Sequence, residues 1–485
     1  MTPTPGAAHP AGAIPLVALL AVGLALRLPG LDRGLWFDEI QTLLDYVRQP
    51  WGVLLGTFDS TNQHLLYSIS ARAVITLLGE SALALRLPAV LFGVASLWAA
   101  VAFGRRWMPA REAWWCGVLL AVSYQHVWFS QNARGYTGLL LGTLVTTALF
   151  HDLLKGVSAT ARTAWYYAVA VTLSVLIHVT ALVVVAAHAL TWLWQARRLP
   201  PGPGRWRPFG ALALAGVLTL AVYAPLLPQV VTAVAGSGTS PVATAWQNPA
   251  WMVAETLRGL VRGIPAGVVV VPAALLVALA GVASAWRRDR VATVLMLLPL
   301  GIMAALVLGT GHNLWPRFFF FGAAFLVQLA VRGGFAVLER VVPARAGPVG
   351  SAGLAVATAG SLALLPAAWA PKQDFRAALA WVEEHAGAGD AVVATPMLEM
   401  PMNRWLGQSW PVVEDAAALQ AIEAGHSRTL VAYTFPIRLA ALHPDLWARL
   451  DSAYQTAHVV PGTVGGGEIV IMTSSPIPPS PPRTP

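Results

Sequence analysis

Acidic side chains are scarce in this chain. Asp and Glu number 22 among 485 residues, and all charged residues together make up 11%. A soluble domain carries about a quarter, so a water-soluble globule is excluded. Cysteine is almost missing as well. Cys116 is alone in an apolar run, so no intrachain disulfide can form and the redox compartment is unmarked. Residues 1–13 hold no Lys or Arg. A cleaved signal peptide needs a basic start, so we expect an uncleaved first span. No Gly-x-x-x-x-Gly-Lys loop and no fixed-period repeat occurs, which removes P-loop nucleotide enzymes and solenoids.

Apolar sequence is what the chain has instead: 56% of residues are hydrophobic and the mean hydropathy is +0.63. Runs long enough to cross a bilayer recur along most of the length. The spacing predicts spans at 12–28, 84–103, 112–130, 136–153, 164–179, 180–195, 209–229, 264–286, 291–309, 314–331 and 350–370. Residues 64–79 are broken by Ser68, Ser70 and Arg72 and read as interfacial. The expected fold is an all-α polytopic membrane bundle of about 11 transmembrane helices, with interfacial helices in the first outer loop. A small α/β domain is expected beyond Pro371.

The net charge of +9 lies in short loops between apolar runs, so its partner is membrane lipid and not nucleic acid. Arg105, Arg106 and Arg111, then Lys155 and Arg162, then Arg197, Arg198, Arg205 and Arg207 fall on one side. Arg287, Arg288 and Arg290, then Arg332, Arg340 and Arg345 continue that side. The positive-inside rule puts these in the cytoplasm with the N-terminus. The loops at 30–63, 131–135, 230–263 and 310–316, and everything after 371, then lie outside.

The division expected is a transmembrane module at 1–370, an outer α/β domain at 371–475 and a proline-rich disordered tail at 476–485. Within the outer domain Lys372–His385 reads as a helix, and Ala391–Ala394, Arg428–Thr434 and Glu468–Met472 as strands. Gly465-Gly466-Gly467 precedes a strand, so it reads as a hairpin turn and not a phosphate cradle.

Two acids stand together at Asp38-Glu39, just past the first span. From Phe37 to Arg48 the apolar residues Ile40, Leu43, Leu44 and Val47 keep helical spacing, which predicts an amphipathic helix on the membrane surface. On spacing alone Asp38, with Gln41 three residues on, reads more readily as a helix cap than as a catalytic acid.

Further residues lift it above that. Leu35-Trp36-Phe37-Asp38-Glu39, Asn62-Gln63-His64-Leu65-Leu66-Tyr67-Ser68, Gly79-Glu80 with Leu85-Arg86-Leu87-Pro88, and Phe129-Ser130-Gln131-Asn132-Ala133-Arg134-Gly135-Tyr136 follow in order. Together they resemble the protein O-mannosyltransferase and aminoarabinose transferase superfamily, glycosyltransferases of the GT-C fold. Tyr223-Ala-Pro225, Trp315-Pro316-Arg317 and Pro371-Lys372-Gln373-Asp374-Phe375-Arg376 extend the likeness. Many members have His-Pro-Pro where this chain has His64-Leu65-Leu66.

The resemblance implies a donor sugar on a polyprenyl phosphate, used at the outer leaflet of a bacterial inner membrane, with inversion at the anomeric carbon. It implies Asp38 as the base, with Glu39 beside it. Such a transfer needs a base, an open anomeric carbon and cations for the departing phosphate. Arg134 and Arg317, both at outer span ends, are the candidate phosphate ligands. His64, Tyr136 and His178 are candidate donor- or acceptor-binding residues, and Arg258 and Arg262 weaker ones. No metal ligand set is assigned, although Asp38, Glu39 and Asp59 could hold a divalent cation against a phosphate. The acceptor, whether glycan, lipid or protein, is left open. Two other classes compete: a transporter or flippase, disfavoured because charge is nearly missing from mid-span, and a binding protein whose outer domain does the work.

Overall fold

The computed structural model describes residues 13–156, 160–199, 201–236, 246, 248–264, 266–310 and 315–475. The tail expected at 476–485 lies outside the described residues. Long apolar helices dominate. Among the described residues seven are long and apolar enough to cross a membrane, beginning with Ala82–Gly104, Tyr136–Lys155 and Gly204–Tyr223. Gly267–Arg288, Arg290–Gly309, Pro316–Val341 and Pro343–Ala368 complete them. Four shorter apolar helices, Pro15–Ala25, Leu65–Leu78, Ala161–Ile177 and Ala181–Ala196, stand among these.

Short polar residues start several of these helices. Ser81 accepts from the Ala84 N–H, Thr160 from Thr163 and Asp289 from Ala292. The helices Gly267–Arg288 and Ala323–Val341 cross where glycine faces backbone. A Cβ at Gly281 would meet the Leu329 carbonyl oxygen at 1.8 Å, and one at Gly333 would meet that of Val277 at 1.8 Å. Only glycine permits that approach.

Three expected spans are interrupted. The 112–130 run is two helices, Ala110–Ala121 and Tyr124–Ser130, because Ser123 caps the second through the His126 N–H. The 209–229 run divides into Pro203–Tyr223 and Leu227–Gly236, with Pro225 and Pro228 at the join. The 314–331 run opens with a 3-10 turn, Pro316–Gly322, which carries Arg317.

Beyond the bundle, the helix Phe375–His385 precedes a four-stranded sheet. Its strands are β1 Asp390–Ala394, β2 Arg428–Tyr433, β3 Gln455–Val460 and β4 Ile469–Thr473, in the order β1-β2-β4-β3. β1 and β2 run parallel, and β4 is antiparallel to both neighbours. Sequence reasoning finds three of these and misses β3, whose Gln455, Thr456 and His458 weaken the apolar alternation. The triple glycine does lie in the β3–β4 hairpin connection, with Gly466 at φ 69°.

The loop that carries Asp38 departs from the expected surface helix. It is one α-turn, Phe37–Gln41, followed by a π-helical segment, Thr42–Val47. Ile40, Leu43, Leu44 and Val47 are buried, and their company is Phe375, Leu398, Met400, Leu430 and Ile471 of the C-terminal domain together with Tyr67, Leu85 and Ala89 of the bundle. The apolar face is covered by protein, and the loop is wedged between the bundle and the sheet.

Candidate active site

Asp38 sits in the first turn of Phe37–Gln41, and its carboxylate is 17% exposed. Arg134 Nη1 donates to Asp38 Oδ2 at 2.7 Å, and Arg317 Nη1 reaches the same oxygen at 3.4 Å. Arg134 also donates to Asn62 Oδ1. The Tyr136 ring lies 5.4 Å from the Arg134 guanidinium. His64 and His178 pack with ring centroids 4.4 Å apart, and Tyr136 touches both, at 5.7 and 5.5 Å. Six of the seven expected site residues therefore share one cluster, drawn from five separate stretches of chain.

Glu39 is the exception, and the structure corrects its place. It is fully buried and turned away from Asp38's partners. Arg86 grips it with two hydrogen bonds, at 2.8 and 2.6 Å. Glu39 also accepts from the Ala133 N–H at 2.7 Å and from the Trp36 N–H at 3.2 Å. The last bond makes Glu39, and not Asp38, the capping acid of the turn. Burial pushes the Glu39 carboxyl up, but Arg86 outweighs it and holds the group below its ordinary range. Such a carboxylate has no lone pair left for a substrate proton. Its work is alignment: it joins the residue after Asp38 to the residue before Arg134.

The Gln131–Gly135 loop is held at every step. Lys372 Nζ donates to the Gln131 carbonyl at 2.6 Å, and Trp36 Nε1 to Asn132 Oδ1 at 3.0 Å. Glu39 takes the Ala133 N–H, Asp38 takes Arg134, and the Gly135 N–H donates to His64 Nδ1 at 2.7 Å. Because Nδ1 accepts, the His64 proton sits on Nε2. Burial, with His178, Arg134 and Arg317 alongside, holds His64 well below its ordinary pKa, so the ring is neutral. The C-terminal domain adds another tie: the Phe37 N–H donates to Gln373 Oε1 at 3.1 Å.

Around Asp38 several donors are buried with nothing to donate to: Asn62 Nδ2, Gln63 Nε2, His64 Nε2, Arg134 Nε and Arg317 Nε. Buried donors are nearly always paired in proteins. A concentration of idle ones, all N–H and next to two arginines, is the signature of a place for an anion. Sequence reasoning quotes Asn62 and Gln63 in the stretch with His64 but gives them no role in the site.

Asp38, Glu39 and Asp59 are not grouped together among the described residues. Asp59 accepts from the Tyr46 hydroxyl at 2.8 Å, Glu39 is spent on Arg86, and Asp38 faces arginines. Among the described residues no group of three His, Cys, Asp or Glu could hold a metal. Arg258 pairs with Glu255, and Arg262 acts on Tyr124.

No family model and no curated protein matches the chain. Solved structures do. ArnT from Cupriavidus metallidurans, bound to undecaprenyl phosphate, aligns with a TM-score of 0.55 at 14% identity, over 96% of this chain and 98% of that one. The oligosaccharyltransferase of Archaeoglobus fulgidus, tethered to an acceptor peptide, aligns with a TM-score of 0.54 at 12% identity, over 94% and 73%. The same archaeal protein with a dolichol-phosphate and an inhibitory peptide aligns at 0.53 and 12%. These proteins are glycosyltransferases of the GT-C fold. At such low identity the likeness establishes architecture, and this chain has that fold: a polytopic helical bundle with a C-terminal domain.

Proposed function

We propose that this protein is a membrane glycosyltransferase that moves a sugar from a polyprenyl-phosphate donor to an acceptor on the extracytoplasmic face of a bacterial inner membrane. One observation carries the reading: Asp38 is held by Arg134 and Arg317 inside a group of buried N–H donors that have no acceptor. The undecaprenyl phosphate and dolichol-phosphate in the neighbours name the class of anion that fits such a place.

The donor phosphate enters and takes the two arginines, with Arg134 Nε, Arg317 Nε and His64 Nε2–H supplying further donors. Released from them, the Asp38 carboxylate accepts the acceptor's proton. The acceptor oxygen attacks the anomeric carbon as the bond from that carbon to the phosphate oxygen breaks. The electron pair leaves on the phosphate, where the arginines meet the growing charge. A single displacement inverts the anomeric configuration. Residues 1–370 form the catalytic module in this reading, with the N-terminus cytoplasmic, and residues 371–475 brace the loop that carries the base.

The test is Asp38→Asn in purified full-length protein with an undecaprenyl-phosphate sugar. Transfer is expected to fall by about 10²–10⁴-fold, the usual worth of a general base, with thermal stability close to wild type. Undiminished transfer by a well-folded variant would remove Asp38 from this role.

A further inference from the structure

Residues 371–475 contain five arginines. Four are engaged. Arg404 pairs with Asp45, Arg428 with Asp390 and Arg449 with Glu423, while Arg376 lies over the Trp405 ring at 5.3 Å. Arg438 is the fifth. Among the described residues its guanidinium makes no hydrogen bond and no ion pair. The residue is exposed, and the partial burial of its tip pulls the guanidinium below its ordinary range while the Asp38 charge opposes that shift.

Its position is built, not incidental. The Phe37 N–H, next to Asp38, donates to Gln373 Oε1, and Gln373 Nε2 donates to Thr434 Oγ1 at 3.0 Å. Thr434 is completely buried. Phe435 follows at φ 54°, an uncommon and costly conformation for an aromatic residue, with its N–H donating to the Gly466 carbonyl at 3.0 Å. Pro436 then opens the short helix Pro436–Leu442, and Arg438 stands in its first turn. A chain of two side-chain bonds thus ties the backbone beside the base to the segment carrying this arginine.

Charge counting shows what the arginine is for. A donor phosphodiester brings one negative charge and Asp38 another, and Arg134 and Arg317 balance them. After transfer Asp38 is protonated and the lipid phosphate monoester carries about −2, so the same two arginines balance it again. Arg438 is a surplus positive charge before and after. The surplus is matched when the incoming acceptor carries a negative group of its own.

We infer that the outer domain completes the site: Arg438 binds an anionic group, phosphate or carboxylate, on the acceptor, and so selects acidic acceptors over neutral ones. The inference rests on the reading of Asp38 as base beside a lipid phosphate. It assigns Arg438 to acceptor binding and not to the donor.

The experiment uses the full chain in nanodiscs saturated with undecaprenyl phosphate, with phenyl phosphate as the acidic probe and phenyl β-D-glucoside as the neutral one. Phenyl phosphate should bind wild type while the lipid phosphate stays bound. Arg438→Ala should weaken it at least fivefold, and Arg438→Lys should recover part of that loss. Undecaprenyl phosphate affinity should change less than twofold in either variant, and the glucoside should not respond. Loss of undecaprenyl phosphate binding in Arg134→Ala confirms the underlying site separately. The inference is overturned if phenyl phosphate binds equally to wild type and Arg438→Ala, if it fails to bind wild type, or if it binds only by displacing the lipid phosphate. Undecaprenyl phosphate binding that ignores Arg134→Ala would instead sink the donor site itself.

Discussion

The helix Tyr136–Lys155 has a charged cluster at each end, about 30 Å apart by its length. At its C-terminal end the charges close on one another. Asp289 caps the next helix through Ala292 and also meets His151 at 2.9 Å and Lys155 at 3.0 Å, while Arg106 holds Asp152 with two bonds. At its N-terminal end Arg134 and Arg317 share a single carboxylate, Asp38, among five idle buried donors. The first cluster is a latch between helices, with charges matched by what the chain itself supplies. The second has donors and positive charge in excess, which a fold tolerates only where something else brings the acceptor atoms. The contrast separates structural charge from functional charge within one helix.

The largest expected effect tests what holds the open end in shape. Glu39→Gln leaves Arg86 buried without its charge partner, a loss of about 3–5 kcal/mol, read as a fall in the thermal midpoint. The effect should be on stability and on donor and acceptor use together, since Glu39 aligns Asp38 with Arg134. A variant of wild-type stability that loses only catalysis would make Glu39 a reactive acid after all.

Next comes a paired comparison of the two ends. Arg134→Lys keeps the charge but loses the planar fork, and donor affinity should fall about tenfold, roughly 1.4 kcal/mol. Asp289→Asn, at the closed end, should lower stability and leave donor affinity unchanged. Equal effects on donor affinity from both substitutions would erase the distinction.

The smallest effect is a pH slope. Burial lowers Lys372 to about 7, with Glu39 opposing that shift and Arg86 adding to it. Between pH 7 and the ordinary lysine range the unfolded chain holds the proton that the folded one has given up. The lysine's penalty on folding is therefore full below pH 7 and fades as pH rises toward 10. Thermal midpoints should climb less steeply with pH over that window in Lys372→Met than in wild type; parallel slopes would contradict the shift.

Much of this was legible in the sequence, for identifiable reasons. The apolar runs report burial in lipid directly, and the ordered stretches around Asp38, His64 and Arg134 carried the cluster because each keeps its site residues adjacent. Glu39 was misplaced because neighbours in a helical turn point about 100° apart; one sequence step separates a cavity from a core. Arg438 was invisible because it arrives from 400 residues downstream, through a fold in Phe435 that no composition announces. The amphipathic run Ile40–Val47 was read correctly as one-sided, yet its cover is protein, and periodicity cannot distinguish lipid from a sheet.

The most direct measurement is a cryo-electron microscopy map of the protein in nanodiscs with undecaprenyl phosphate. The account predicts phosphate density within hydrogen-bond distance of both Arg134 and Arg317, with Asp38 freed from at least one of them and facing the cavity. Phosphate density at the His151–Asp289 end of the bundle, or an occupied site elsewhere with the Asp38–Arg134 pair intact, would contradict it.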